Sequence, residues 1–319
     1  MRYSELSDPD CAVAQALTVV GDPWTLLLIR DVAGGTHQFD ALREGLGISR
    51  KVLTERLKGL VADGVLEKRL YSPHPPRYAY HLTPAGRGLL PVLVALQDWG
   101  ARHVMGDGTL SATSTADSAE TRRVHALVGH RLPELTLAGP GDAPADPVAA
   151  DRALTVLYCF PGAYAPGAHA YPPGWDRIPG TRGCTLESCT YRDRMADFAR
   201  RDTAVHGVST QRPDQLAAFA EHERIAFPLL SDAGLELAAA LRLPTFRAGG
   251  ADRLKRLTLV VDSSRTVRGV LYPLDDPAGS VDDALALVDS LTGRTQSRRP
   301  AGLRVADRPD SESLTGRTH

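Results

Sequence analysis

A stretch without hydrophobic period divides the chain. Gly106-Asp-Gly-Thr-Leu-Ser-Ala-Thr-Ser-Thr-Ala-Asp-Ser-Ala-Glu120 is small and polar, and a segment that buries so little apolar surface cannot recover the entropy of being ordered. It predicts a flexible linker over 106–123, with differently patterned sequence on either side. Two domains follow, one over 1–105 and one over 124–292, which suits 319 residues and a usual domain size of roughly 100–200. Beyond Leu291 apolar residues are sparse, Pro300 and Pro309 interrupt, and Leu-Thr-Gly-Arg-Thr at 291–295 recurs at 314–318. A disordered tail over 293–319 is expected.

Composition narrows the class. Lys and Arg total 37 against 38 Asp and Glu, so a wholly basic nucleic-acid coat is excluded and any DNA-binding surface must be local. The longest apolar run, Leu89–Leu96, falls far short of the roughly 20 residues a membrane span needs, and Met1-Arg-Tyr-Ser-Glu-Leu-Ser-Asp lacks a signal core. A cytoplasmic location and no membrane partner are expected. Four cysteines are too few for a secreted disulfide framework in a chain this long, which leaves core, metal-ligand or redox roles.

The first hundred residues read as helices and one hairpin. Apolar residues recur at helical spacing over Cys11–Val20, Trp24–Val32, Phe39–Leu46 and around Val52–Val61. Val65–Tyr71 and Arg77–Leu82 then alternate as strands about a turn at Ser72-Pro-His-Pro-Pro76, and Leu89–Val104 is a closing amphipathic helix. This is an α+β winged helix-turn-helix. In Ile48–Leu60, Ser49 is placed as N-cap, Val52, Leu53, Leu57 and Leu60 face inward, and Arg50, Lys51, Thr54, Arg56 and Lys58 form a basic polar face. A recognition helix needs that division, because cations meet phosphate while N-terminal polar groups reach base edges. Lys68, Arg69 and Arg77 add charge on the wing. An ordinary solvated face is the other reading of the same pattern.

The second half alternates short apolar strands, at 153–160, 204–208 and 257–261, with helical patterns at 186–199, 213–222, 235–241 and 281–291. Alternation of this kind predicts an α/β fold with a mainly parallel sheet. Cys184, in Gly183-Cys-Thr-Leu-Glu-Ser-Cys189, stands at the start of a predicted helix. The free N–H groups and positive dipole end there favour a thiolate and predict a lowered pKa. Cys189 lies five residues on, roughly 8 Å away along an intact helix, so a disulfide requires the first turn to unwind. The spacing is not the Cys-x-x-Cys of zinc sites, and no metal or cofactor is expected. Two incidental buried thiols are the alternative.

Two resemblances attach to these residues. Gly21-Asp-Pro-Trp-Thr-Leu-Leu-Leu-Ile-Arg-Asp31, Phe39-Asp40-x-Leu42, Gly47-Ile-Ser-x-Lys-Val-Leu-Thr-Glu-Arg-Leu57, Gly64-Val-Leu-Glu-Lys-Arg69 and Pro76-Arg-Tyr-x-Tyr-x-Leu-Thr-x-x-Gly86 together resemble HxlR-type winged-helix regulators over about 8–103. The resemblance implies operator DNA as partner, homodimers paired through terminal helices, and a possible redox sensor at Cys11, for which a structural thiol is the alternative. Thr181-x-x-Cys184, Cys184-x4-Cys189 and Arg256-x-Thr258-x-x-x-Asp262 resemble peroxiredoxins of the bacterioferritin-comigratory or Q type, over about 125–291. That resemblance implies a thioredoxin-like fold, Cys184 as the thiol that attacks peroxide and Cys189 as the resolving thiol. It also implies Thr181 and Arg256 as polarising groups, Pro161 as a further active-site residue, and an external thiol reductant such as thioredoxin. The insertion Gly162–Gly180 separates Pro161 from Thr181, a departure from the family spacing. The combined expectation is a redox-responsive regulator that reduces or senses peroxides. A peroxidase whose first domain only dimerises, and a repressor whose second domain is inactive, are its rivals.

Overall fold

Helix caps written into the sequence set the first elements. The chain is represented by a computed structural model that describes residues 10–293; of the expected tail, only Gly293 falls within them. After α1 (Ala12–Val20), the Asp22 side chain accepts from the Trp24 N–H at 3.0 Å and Pro23 takes the first turn of α2 (Pro23–Ala33), a position where its missing N–H costs nothing. Gly47 at φ 64° ends α3 (Phe39–Leu46), and Ser49 accepts from the Val52 N–H at 3.2 Å to start α4 (Arg50–Ala62). Leu28, Ile29, Leu42, Leu53, Leu57 and Leu60 close the core between these helices. The wing is the antiparallel pair β1 (Leu66–Pro73) and β2 (Pro76–Leu82), in register from Leu66 opposite Leu82. A short helix that the periodicity did not reveal, α5 (Pro84–Arg87), follows. In it, a Cβ on Gly86 would lie 2.3 Å from the Val65 carbonyl oxygen, so glycine is what allows the wing base to close. The amphipathic α6 (Leu90–His103) completes this domain.

The second domain is built on a sheet of β3 (Leu137–Ala138), β4 (Pro144–Ala145), β5 (Leu154–Cys159), β6 (Thr203–Ser209), β7 (Leu229–Ser231), β10 (Leu257–Asp262) and β11 (Val267–Leu271), in the order β11-β10-β5-β6-β7-β3-β4. Only β5–β6 and β6–β7 are parallel. The β10 pairs with β11 and β5, and the β3 pairs with β4 and β7, are antiparallel. The sheet is therefore mixed, not mainly parallel: β10 and β11 are joined by a tight turn, and a connection that short reverses the strand. A separate hairpin, β8 (Thr245–Ala248) with β9 (Ala251–Leu254), stands beside the sheet.

Side chains alternate across β5, and each face is covered differently. Val156, Tyr158 and Phe160 pack with α8 (Cys184–Asp193), α9 (Met195–Ala199), α10 (Pro213–Glu223) and α12 (Gly279–Leu291). Leu157 and Cys159 pack with α7 (Ala119–His125) and α11 (Glu236–Leu241), and the same core takes in Leu90 and Val94 from α6. The winged-helix domain thus lends one helix to the core of the other. Burial of Leu90 and Val94, each about 2% exposed, contributes roughly 1.5–3 kcal/mol apiece.

The segment expected to be a flexible linker is instead folded onto the second domain. The Ala112 N–H donates to the Pro179 carbonyl at 2.8 Å, and Thr121 Oγ1 donates to the Thr115 carbonyl at 2.7 Å. Ser118 caps α7, and Glu120 pairs with Lys255 Nζ at 2.9 Å. Hydroxyl and carboxylate hydrogen bonds act here together with the packing of Ala112 and Leu110 against Trp175 and Phe246, partners distant in sequence that composition alone does not reveal. The domains also meet directly, through Gln97 Nε2 donating to the Leu243 carbonyl at 2.8 Å. Among the described residues no single helix is long and apolar enough to cross a membrane.

Candidate active site and nucleic-acid interface

Cys184 is the first residue of α8, and its N-cap Gly183 sits at φ 95°. A Cβ on Gly183 would come 2.4 Å from Pro277 Cγ, so both backbone conformation and space call for glycine beside the thiol. Arg256 Nη2 donates to Cys184 Sγ at 3.2 Å, the Gly162 N–H donates to the same sulfur, and Sγ donates to the Thr181 carbonyl at 3.5 Å. Arg256 in turn donates through Nε to Glu187 Oε2 at 2.8 Å and through Nη2 to the Arg182 carbonyl at 3.0 Å. Arg256 and Glu187 are 3% and 0% exposed at their side chains. Glu187 stands three residues after Cys184, one turn along the same helix face, and it locks the guanidinium that faces the sulfur.

Burial pushes the Cys184 thiol up, against the pull of Arg256 and the Gly162 N–H, with Glu187 adding to the rise. That reverses the lowering expected from the helix start: Cys184 is 2% exposed, and desolvation outweighs the positive groups. Burial likewise pushes the Glu187 carboxyl up to about 7 against Arg256. Burial pulls Arg256 down, but Glu187 and Cys184 more than offset this and its guanidinium is held charged.

The other expected residues are placed differently. The Thr181 hydroxyl is directed to the carbonyls of Trp175 and Ile178, each at 2.8 Å; it fixes the insertion, and only its backbone carbonyl meets the sulfur. Pro161 is buried and brings Gly162, whose N–H reaches Sγ. Glu187 and Gly162 are the two site residues that sequence reading missed. The helical i, i+3 spacing from Cys184 was the available signal for Glu187; none marked Gly162. The insertion is a roof. Buried Gln211 clamps Ala163 through two 2.8 Å hydrogen bonds, and Tyr164, Tyr171, Trp175 and Phe246 follow one another with ring centroids 4.8, 5.6 and 6.1 Å apart. The Tyr171 hydroxyl bonds the Thr185 side chain, next to Cys184.

Cys189 lies on the same unbroken helix, about 140° around its axis from Cys184 at 100° per residue. It is half-buried and donates to Glu223 Oε2 on α10 at 3.3 Å. Burial and Glu223 push its thiol up. All four cysteines are free thiols. Cys159 is enclosed in β5, where burial raises it far beyond neutral titration. Cys11 is half-buried, and its Sγ accepts from the Ala14 N–H at 3.5 Å as N-cap of α1. Among the described residues no group of His, Cys, Asp or Glu could hold a metal ion.

On the winged helix, Ser49 caps α4, and Lys51, Thr54 and Lys58 are exposed along it. Arg50 is exposed, 3.3 Å from Asp40 and stacked over Phe39. Arg56 turns back to Asp22 at 2.8 Å, so its charge is partly committed inside the domain. On the wing, Lys68 lies over the Tyr78 ring at 4.9 Å, Arg69 is bound by Glu67, and Arg77 is exposed.

Comparison with known proteins assigns both halves. The HxlR-like helix-turn-helix family matches residues 19–107, which include α4 and the wing but not Cys11. The AhpC/TSA family matches 178–270, which include Thr181, Cys184, Cys189 and Arg256 but not Pro161. An uncharacterized HTH-type transcriptional regulator of Mycobacterium tuberculosis is 41% identical over 93 residues, 29% of this chain and 59% of that protein. The chain thus spans less than two thirds of that relative. The uncharacterized HTH-type transcriptional regulator YdeP of Bacillus subtilis is 32% identical over 102 residues, 32% of this chain and 80% of YdeP. Among solved structures, the peroxidoxin BcpB of Mycobacterium tuberculosis is 28% identical, with a TM-score of 0.43, over 51% of this chain and 97% of that one. A peroxiredoxin Q of Xanthomonas campestris is 20% identical, with a TM-score of 0.40, over 50% and 91%. The chain belongs to the HxlR-like helix-turn-helix family through its first domain and joins to it, on one polypeptide, a second domain that the AhpC/TSA family matches over residues 178–270.

Proposed function

We propose that this chain is a redox-responsive DNA-binding regulator whose second domain reacts with peroxides through Cys184 and Cys189. The observation that carries the reading is the Arg256 guanidinium 3.2 Å from Cys184 Sγ at the head of α8, in a domain whose core includes α6 of the winged helix. In the first step the Cys184 thiolate attacks one peroxide oxygen, the O–O bond breaks, and an alcohol or water leaves with a proton. Arg256 and the Gly162 N–H favour the thiolate form and meet the charge that develops around it. The product is a Cys184 sulfenic acid. Condensation with the Cys189 thiol forms the S–S bond and releases water, and an external dithiol such as thioredoxin returns both thiols. With the two sulfurs on different sides of α8, condensation requires its first turns to unwind.

The regulator binds operator DNA as a homodimer. Support for the dimer comes from apolar side chains left in water at helical spacing: Val92, Leu96 and Trp99 on α6 are 52, 51 and 56% exposed, and Val13 and Leu17 on α1 are 68 and 43% exposed. The free thiols suit a reducing, cytoplasmic compartment. The test is made on one preparation of the full chain. Thiol-dependent peroxide consumption and saturable binding to an operator duplex are both expected, and loss of either one rejects the combined function.

A further inference from the structure

A cleft of about 290 Å3 opens where the two domains meet, between α2, α6 and α11. That is at the small end of the roughly 300–1,000 Å3 usual for ligand pockets. Its walls are apolar, from Leu26 and Leu27 of α2, Leu93 and Val94 of α6 and Ala239 of α11. Three arginines, Arg30, Arg123 and Arg242, line the same space, with Gln97 beside them.

Among the described residues, carboxylates do not balance the charges around this cleft. Asp31 is the one carboxylate shared there among those residues, 2.8 Å from Arg30 and 3.5 Å from Arg242. Glu120, which acts on Arg123, is itself held by Lys255 and Tyr272. Arg123 Nε is buried without a hydrogen-bond partner among the described residues. Desolvation pulls Arg123 down, and desolvation together with the neighbouring Arg30 does the same to Arg242. Arg242 is held in the left-handed region at φ 51°, an uncommon conformation for a side-chain-bearing residue. A buried donor without a partner is costly, and guanidinium forks match carboxylate oxygens in pairs.

We propose that this interdomain cleft binds a small carboxylate with an apolar body, its carboxyl group among Arg30, Arg123 and Arg242 and its chain against the leucines of α2 and α6. The site is remote from the chemistry at Cys184 and needs no reaction there. Its walls come from both domains, so the ligand is held between them. A second copy of the chain is the competing occupant, because the mouth of the cleft runs on to Leu96 of the exposed α6 face.

Calorimetric titration of the reduced full-length protein with octanoate tests this, with octan-1-ol and octyltrimethylammonium as matched probes. Octanoate is expected to bind saturably, at least tenfold more tightly than either. From butanoate to octanoate the affinity should rise by about fourfold per methylene. Arg123→Gln and Arg242→Gln should each weaken octanoate at least tenfold and leave the oligomeric state unchanged in sedimentation. Hydrogen exchange on the wild type, which needs no variant to fold, should show octanoate protecting α2, α6 and α11 and not α8. Absence of saturable binding, equal binding of all three probes, or protection centred on α8 overturns the proposal. So does a loss of binding that appears only with a changed oligomeric state, since the cleft is then the seat of a second copy.

Discussion

The basic face of α4 and the Cys184 pocket both depend on arginine and lysine, and they use charge in opposite ways. On α4 the cations come from one contiguous segment, Arg50–Lys58, and Lys51 and Lys58 stand in water. In the pocket, Arg256 reaches a sulfur 72 residues away in sequence and is locked by a carboxylate from which water is excluded. Exposed charge costs the fold little and is available to a polyanion. Buried charge is committed to the fold, and its removal leaves a partner stranded. Substitutions in the two regions should therefore register in different measurements.

The largest contrast is chemical. Cys184→Ser is expected to abolish thiol-dependent peroxide consumption, and Cys189→Ser to permit one turnover and retain a sulfenic acid that a dimedone adduct reports by mass. Repeated turnover by the Cys184 variant would remove the pocket from the mechanism.

Next is stability. Arg256→Gln leaves Glu187 buried opposite a neutral amide, and a loss of about 3–5 kcal/mol is expected in denaturant unfolding. Lys51→Gln should stay within about 0.5 kcal/mol of wild type. Similar losses for both would erase the distinction between the regions.

The pH dependence sharpens the pocket's side of the comparison. Because burial raises the Cys184 thiol above its ordinary value, the reactive thiolate is the minor form at neutral pH, and its fraction grows about tenfold per pH unit below the pKa. The single-turnover rate with peroxide should rise steadily from pH 6 to pH 8. A plateau reached by pH 6 would mean that the helix start and Arg256 outweigh desolvation after all.

The smallest effect is on α4. If Arg50 and Lys51 meet phosphates, Arg50→Gln with Lys51→Gln should lower the slope of log affinity against log salt by about two. Arg56→Gln should change it by less than one, because Arg56 is held by Asp22. An equal change for Arg56 would mean that this ion pair opens on DNA.

What could be read in the sequence follows the same division. Ser49, Asp22 and the leucines of α4 act within a few residues of their place in the chain, so caps and periodicity located the helices and the wing. Cys184 at the head of α8 was legible for the same reason. Arg256 entered through the resemblance alone, while its lock by Glu187 and the Gly162 N–H were not legible, since Arg256 and Gly162 come from segments that only the folded sheet brings to the head of α8. The direction of the thiol's shift was missed because Cys184 is buried in a core with Tyr158, Phe160, Ala163 and Tyr191, which come together only in the folded chain. The mixed sheet was missed because alternation of strands and helices does not give strand direction: β5 and β10 were both read as strands, yet they pair antiparallel, and the short β3, β4 and β11 add further antiparallel pairs. The segment around Ala112 and Glu120 was taken for a linker because its order rests on hydroxyls, an ion pair and the seating of Ala112 against Trp175 and Phe246, none of which composition weighs.

On the proposed function, chemistry at Cys184 has to reach the winged helix through the core that α6 and α11 share. Operator affinity, measured at one salt concentration for wild type and Cys184→Ser, each reduced and peroxide-treated, tests it most directly. Peroxide is expected to shift the affinity of wild type at least fivefold, a coupling of about 1 kcal/mol, and to leave Cys184→Ser unchanged. Equal affinity in all four states, or a shift that persists in Cys184→Ser, would contradict it.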